Sequence, residues 1–311
     1  MKQKMTISRR GFLGAAAATG AAAILPQRLF GADKPNSNFD GVQIGVNTYS
    51  YRDTKATSAE QVLGYLLENG LSSVELQGGT ISPYIKRPSI NNDAPDASDK
   101  WLAAAESAET LERCAALRKM YEDAGVKIYI SKFGDIGDGK MTDGQIEYYL
   151  KVAKLLGSKA ITREIDLSGN IPKRLGPLAD KHKIYVAFHN HTQINAATYD
   201  GPILSYGEYL AINLDTGHYV ASNDDNVVEL IEKFSKRIIS LHIKDRTTKA
   251  HGAKNLSFGE GDTPIVDILR LMRKNKYTFT ADIELEYKIP EGSGPVKEVT
   301  KCVEYCKKAL S

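Results

Sequence analysis

Residues 184–191 read IYVAFHNH, 210–218 read LAINLDTGH, 238–245 read IISLHIKD and 278–286 read TFTADIELE. Each stretch opens as a short β-branched or apolar run and closes on side chains that ligate metals or move protons. Four such runs, separated by segments of helical period, predict parallel strands joined by crossover helices. Working back from this half, similar runs occur at 43–48, 73–76, 127–131 and 160–163, which makes eight strands in all. Helix punctuation fills the gaps. Thr57-x-x-Glu60 reads as a capping box for a helix stopping near Gly70, and Thr142-x-x-Gln145 as another for a helix reaching Leu156 and ending at Gly157. Further helices are expected at 107–124, 171–181, 224–236, 264–274 and 296–309.

Eight strand-plus-helix units in the residues that follow position 32 predict a single-domain (β/α)₈ barrel over 33–311. A doubly wound sheet is the rival, but Gly-x-Gly-x-x-Gly is absent after the first strand, where 44–52 read IGVNTYSYR. Two irregularities are expected. The Pro-, Asn-, Asp- and Ser-rich stretch 81–100 is too long for a plain connection and reads as an active-site loop. Between His191 and Tyr209 a full fifth helix does not fit, so that crossover is shortened.

In a barrel the C-terminal strand ends converge on one mouth. Four of the six histidines, His189, His191, His218 and His242, lie in the terminal segments of the predicted strands five to seven. Side chains alternate along a strand, so His242 and Lys244 share one face and Leu241, Ile243 and Asp245 the other, while Glu284 and Glu286 stand together. A carboxylate or imidazole pointing into a barrel must be paired or liganded to offset its desolvation. One divalent cation does this for several groups. Asp215, His242 and Glu284, with His189 beside them, make a mixed oxygen and nitrogen set suited to Mn²⁺, Co²⁺, Zn²⁺ or Mg²⁺. Glu75, Glu164 and Lys132 also stand at strand ends. The cysteines, Cys114, Cys302 and Cys306, form no CxxC pair and read as packing residues. Tyr49, Tyr51 and Trp101 are candidates for stacking on a ring, though packing is the commoner use of such residues.

The set HNH, LDTGH, LHIKD and IELE, with Phe258-Gly259-Glu260-Gly261-Asp262 after the seventh strand, resembles the xylose isomerase-like TIM-barrel superfamily. That superfamily includes sugar isomerases and epimerases, inosose dehydratases and endonuclease IV-type repair enzymes. The resemblance implies that Asp215, His242 and Glu284 are metal ligands, and that His218 lies beside substrate with Asp245 and Glu260. One position departs from it. Many of the epimerases carry a glutamate where His189 stands, which breaks the familiar pair of opposed glutamates.

Such a site supports proton removal next to a carbonyl, giving an enediolate. His191, Glu164 and Glu286 are the base candidates, with Lys244 as an electrostatic or proton-donating partner. The expected activity is isomerisation or epimerisation of a free sugar or keto-sugar. The alternative is a lyase or hydratase that cleaves 3-keto-glycosides by β-elimination. A nuclease and a non-catalytic sugar-binding protein are the remaining readings.

The N-terminal 32 residues carry Lys2, Lys4, Arg9, Arg10 and Arg28 and no acid, then an Ala-rich run closed by Pro26. Ser8-Arg9-Arg10-Gly11-Phe12-Leu13 resembles a twin-arginine signal, so residues 1–32 are expected to direct export to the periplasm and to be removed. The apolar run from Gly11 to Leu25 is shorter than the roughly 20 residues a membrane span requires. Without these five cations the chain holds 41 − 5 = 36 basic against 38 acidic side chains, a balance that argues against nucleic-acid binding. Export disfavours phosphorylated metabolites and points to a small free carbohydrate. Self-association is left open.

Overall fold

The computed structural model describes residues 34–54, 58–90, 96–139 and 141–311. The expected signal, residues 1–32, lies outside the described residues, as does Thr57. The strands are β1 (Val42–Asn47), β2 (Ser73–Gln77), β3 (Lys127–Lys132), β4 (Ala160–Glu164), β5 (Tyr185–His189), β6 (Leu210–Asp215), β7 (Ile238–Ile243) and β8 (Thr280–Ile283). Each pairs in parallel with the next, and β8 pairs with β1, so the sheet closes. This is the (β/α)₈ barrel the sequence predicted.

The outer ring consists of α1 (Ala59–Glu68), α2 (Gly78–Tyr84), α3 (Ala97–Ala105), α4 (Ala108–Asp123), α5 (Asp143–Leu155), α6 (Asn170–His182), α7 (Thr216–Ser222), α8 (Val227–Phe234), α9 (Ile265–Asn275) and α10 (Pro295–Ala309). Both halves of the capping box at Thr142 and Gln145 form. The first box sits one residue later than expected: Ser58 caps α1, with Gln61 reaching back to it. The fifth crossover is shortened as expected, to two 3₁₀ turns at Thr198–Asp200 and Pro202–Leu204. Stretch 81–100 is not a plain loop, because the end of α2 and the start of α3 lie within it. Trp101 is buried there, donating from Nε1 to the Pro88 carbonyl at 2.9 Å. Among the described residues, no helix is long and apolar enough to cross a membrane.

The two faces of the barrel strands are filled differently. Outward residues such as Val42, Ile44, Val186, Ile212, Leu241 and Ile283 join the main apolar core beneath the helices. Inside, Ile130, Ala160, Ala187 and Ala211 belong to a small separate cluster. Two residues further along the same faces the lining turns polar, with Lys132, Thr162, His189 and Asn213. Isolated charges buried this way would cost several kcal/mol each, so each of these groups has a polar partner: Glu164 for Lys132, Glu75 for Thr162, and Asn213 for His189. The three cysteines are free and buried, as packing residues should be.

Candidate metal centre

Helix α7 was not foreseen, and it organises the site. Asp215 ends β6 and caps α7, its Oδ1 accepting from the His218 backbone N–H at 2.7 Å. An N-cap aspartate is a recognised helix-start signal, so LDTGH carried the clue. The cap uses Oδ1 and leaves Oδ2 facing the barrel axis. It also sets His218 in the first turn, above Asp215. Close packing of α7 against the end of β7 requires Gly217: a Cβ there would stand 2.3 Å from Lys244 Cγ and 2.8 Å from the Lys244 carbonyl oxygen.

His189, Asp215, His242 and Glu284 are all buried, and each places a ligand atom within 4.8 Å of the others. Nδ1 of His242 lies 3.4 Å from Glu284 Oε2 and 3.9 Å from Asp215 Oδ2. These three atoms are buried without a hydrogen-bond partner. Lys244 Nζ is within ion-pair distance of the two oxygens, at 2.9 Å from Asp215 and 2.6 Å from Glu284, and it also meets Glu286 at 2.7 Å. One ammonium thus serves three carboxylates.

Neighbouring residues fix which atom each imidazole presents. His242 Nε2 lies 2.9 Å from Glu75 Oε2, and Glu75 Oε1 accepts from Thr162 at 2.8 Å. That leaves Nδ1 for the centre. His189 Nδ1 faces Asn213 Oδ1 at 2.8 Å, while Asn213 Nδ2 donates to Ser240 at 2.6 Å. That leaves Nε2. Carbonyl or carboxylate partners of this kind orient metal-binding histidines. Asn47 likewise donates to Glu284 Oε1 at 2.8 Å, so Oε2 is the oxygen that faces the centre, beside Lys244. Asn47, Thr162 and Asn213 were missed in the sequence, although each sits on an inward strand position.

The electrostatics show a deficit of positive charge. Burial pushes the Asp215 carboxyl up to about 7. Burial acts on Glu284 in the same sense, but Lys244 and His242 outweigh it and hold that carboxyl well below its usual range. For His242 burial favours the neutral ring, yet Glu75 and Glu284 prevail and bring it up to about 10. Four carboxylates (Glu75, Asp215, Glu284, Glu286) face the ammonium groups of Lys244 and Lys132 and at most one imidazolium, an excess of 4 − 3 = 1 negative charge that becomes 2 when His242 gives up its proton to a ligand. A divalent ion matches that excess. The donor set of two carboxylates and imidazole nitrogen fits Mn²⁺, Co²⁺, Zn²⁺ or Mg²⁺ better than a thiolate-seeking metal.

The other expected site residues divide. Glu286 joins Lys244 at the rim. His218 is pinned between Arg246 Nη1, 2.6 Å from its Nδ1, and Lys244 Nζ, 3.0 Å from its Nε2. Burial and the Lys244 charge push its imidazole down to about 2, which keeps the ring neutral. Arg246 was not foreseen. His191 and Glu164 form the open side of the mouth, Nδ1 to Oε2 3.5 Å, with Glu164 Oε1 held by Lys132 at 3.2 Å. Asp245 does not join them. Its carboxylate accepts from the backbone N–H groups of Gly259, Gly261 and Thr263 and ties down the loop after β7, on the outward face. Glu260 is exposed on that loop. Tyr51 and Trp101 are buried packing residues, while Tyr49 is exposed beneath Arg52, 4.6 Å from its ring centre.

Residues 172–306 match the family described as xylose isomerase-like TIM barrel. Two curated inosose dehydratases of Clostridium botulinum are similar to the chain. The strain Eklund 17B protein is 28% identical over 157 residues, covering 44% of this chain and 52% of its own length. The strain Alaska E43 protein is 28% identical over 167 residues, covering 48% and 55%. The chain spans about half the length of the curated relatives it matches. Among solved structures, the probable 3-DHS dehydratase AsbF of Bacillus anthracis superposes with TM-score 0.61 at 14% identity, over 85% of this chain and 98% of that one. The 3-keto-D-glucoside 4-epimerase YcjR of E. coli gives 0.59 at 15% identity, over 86% and 99%. At such identities the likeness is one of fold. The family match and the two curated relatives agree with the superfamily that the motifs resembled.

Proposed function

We propose that the protein is a divalent-metal-dependent lyase of the dehydratase kind, which removes a proton beside the carbonyl of a free keto-sugar or keto-polyol and expels the β-oxygen substituent. The observation that carries this reading is the convergence of Asp215 Oδ2, His242 Nδ1 and Glu284 Oε2, three buried polar atoms without hydrogen bonds. These residues would hold the ion, with His189 at hand. When bound, a divalent ion supplies Lewis-acid stabilisation of the charge that develops on the carbonyl oxygen as the neighbouring carbon loses its proton.

The chain supplies one accessible base. His191 is half exposed and stands beside Glu164, whose Oε2 is 3.5 Å from its Nδ1. On the opposite wall Glu286 is occupied by Lys244. Burial alone would lower the Lys244 ammonium, but Asp215, Glu284 and Glu286 raise it well above its ordinary value. It therefore contributes charge and hydrogen bonding rather than a proton. A site with a single base suits elimination on one face, in which the base that takes the carbon proton returns it to the departing oxygen. Epimerisation asks for bases on both faces.

Isomerisation by proton transfer to the adjacent carbon is the second reading, because one base on one face also serves it. With either reading we propose export by residues 1–32 and an unphosphorylated substrate, supported by the twin-arginine-like Ser8–Leu13 stretch. The test is a panel of free monosaccharides, keto-polyols and 3-keto-glycosides in D₂O with metal-reconstituted protein, followed by NMR and mass spectrometry. Loss of water or release of an aglycone is expected. Interconversion of monosaccharides with no eliminated product would overturn the lyase in favour of the isomerase.

A further inference from the structure

We propose that Glu164, His189 and His191 form a second, weaker seat for a divalent cation, and that filling it disables the base and inhibits the enzyme. The inference rests on the metal-dependent reading above and adds a regulation of the same mouth. Ligand atoms of these three residues lie within 4.8 Å of one another. The geometry has two independent supports. Glu164 Oε2 is buried and without a hydrogen bond, although its carboxylate is otherwise anchored through Oε1 to Lys132. His189 is 2% exposed, and with Nδ1 committed to Asn213 it can offer only the Nε2 lone pair.

His189 stands within reach of both groups, but one lone pair serves one ion. The inner seat keeps Asp215, His242 and Glu284 when the His189 lone pair goes to the outer ion, so both seats can fill at once. The outer ion is the weaker. Around the mouth, the carboxylates of Glu75, Glu164, Asp215, Glu284 and Glu286 face the cations of Lys132, Lys244 and Arg246, a balance of 3 − 5 = −2 that the first ion already neutralises. A second ion meets repulsion, softened because His191 and Glu164 are 54% and 40% exposed. Ligand chemistry also separates the seats. Two imidazoles and one carboxylate favour Zn²⁺ and Co²⁺ over Mg²⁺, whereas the inner pair of carboxylates accepts Mg²⁺ and Mn²⁺ as well. An ion on His191 and Glu164 takes the lone pairs needed to receive the substrate proton.

The test counts bound metal on the chelator-stripped full chain, by equilibrium dialysis and elemental analysis. Mg²⁺ is expected to saturate at one ion per chain. Zn²⁺ should reach one and then two, the second at roughly tenfold higher concentration or more. His191→Ala and Glu164→Gln should each stop at one Zn²⁺, and His191 is exposed enough for its variant to fold. With a substrate in hand, excess Zn²⁺ should inhibit where excess Mg²⁺ does not. Saturation at one Zn²⁺, or retention of two by both variants, overturns the second seat alone. Binding of no ion overturns the metal-dependent reading as well.

Discussion

Replacing Glu75 by Gln preserves shape and removes one charge, 2.9 Å from His242 Nε2 in a pair fully shielded from solvent. Two opposing effects follow. Glu75 and Glu284 overcome burial to bring the His242 imidazole up to about 10, so an ion needing Nδ1 at pH 7 must displace a proton. Over that interval of three units the displacement costs about 4 kcal/mol, at ~1.4 per unit. Loss of Glu75 relieves part of this cost and strengthens apparent binding. In the other direction, removing the carboxylate behind a metal-bound histidine typically weakens affinity 10–100-fold, or about 1.4–2.8 kcal/mol. Near neutrality the two terms are of similar size, so one dissociation constant at pH 7 says little. The slope is diagnostic. Wild-type affinity should climb about tenfold per pH unit from neutrality toward pH 10, whereas the Glu75→Gln variant should level off at a lower pH. Competition against chelators from pH 6 to 9, with proton release by calorimetry in buffers of different ionisation enthalpy, measures both. Identical slopes and identical proton release in the two proteins would refute the claim that Glu75 sets the protonation of His242.

Three further outcomes are expected. Asp215→Asn retains the helix cap, since asparagine also caps well, but turns an amide toward the ion; the thermal shift on adding metal, worth about 2.7 kcal/mol at a hundredfold excess over Kd, should vanish in scanning calorimetry while the metal-free protein stays folded. Gly217→Ala forces a methyl into Lys244, 2.3 Å from its Cγ, and should destabilise by about 1–3 kcal/mol in urea titrations; Gly64→Ala, with open space at its Cβ, should instead stabilise by ~1 kcal/mol. For Asp282, burial and then Glu75 push the carboxyl up to about 7. Because this acid titrates higher when folded, the unfolded chain ionises first as pH rises from 4 and stability is lost up to pH 7, by about 4 kcal/mol at most. Asp282→Asn should flatten that part of the stability profile, and an unchanged slope would show that Asp282 is not the group responsible.

The barrel and the centre were legible for one reason, the two-residue period of a strand. Alternation placed Asp215, His242 and Glu284 at strand ends, and with the inward face known it orders the polar residues of β7 and the two that follow it: Ser240, His242 and Lys244 inside, Asp245 outside. The resemblance to a sugar-enzyme family drew Asp245 toward the substrate, against that alternation, and the structure sides with the alternation. The capping box at Thr142 was legible because both halves are local. The box at Ser58 was misread by one residue because Thr57-Ser58 followed by Glu60-Gln61 allows two registers, and only packing of Val62, Leu63 and Leu66 against the core selects between them. Contacts between distant strands have no such local mark. Glu75 and His242 are 167 positions apart and Asn47 and Glu284 are 237 apart, so sequence reasoning found the ligand candidates and missed most of the groups that aim them.

Those aiming groups explain why the barrel tolerates so polar a lining. Glu75, Asn47 and Asn213 each use one contact to hold a residue of the centre, and each contact consumes one of that residue's two polar atoms, leaving a single atom pointed inward. Had the strand ends instead been satisfied in full, as Asp245 is by three backbone N–H groups, the interior would be more stable and chemically inert. Asp215 shows the difference within one carboxylate: Oδ1 caps the start of α7, and Oδ2 meets the charge of Lys244 and faces the centre. Incomplete pairing that converges from Asp215, His242 and Glu284 on one point, where one partner of each is already fixed, is the pattern expected of a preorganised cation site rather than of a flawed core.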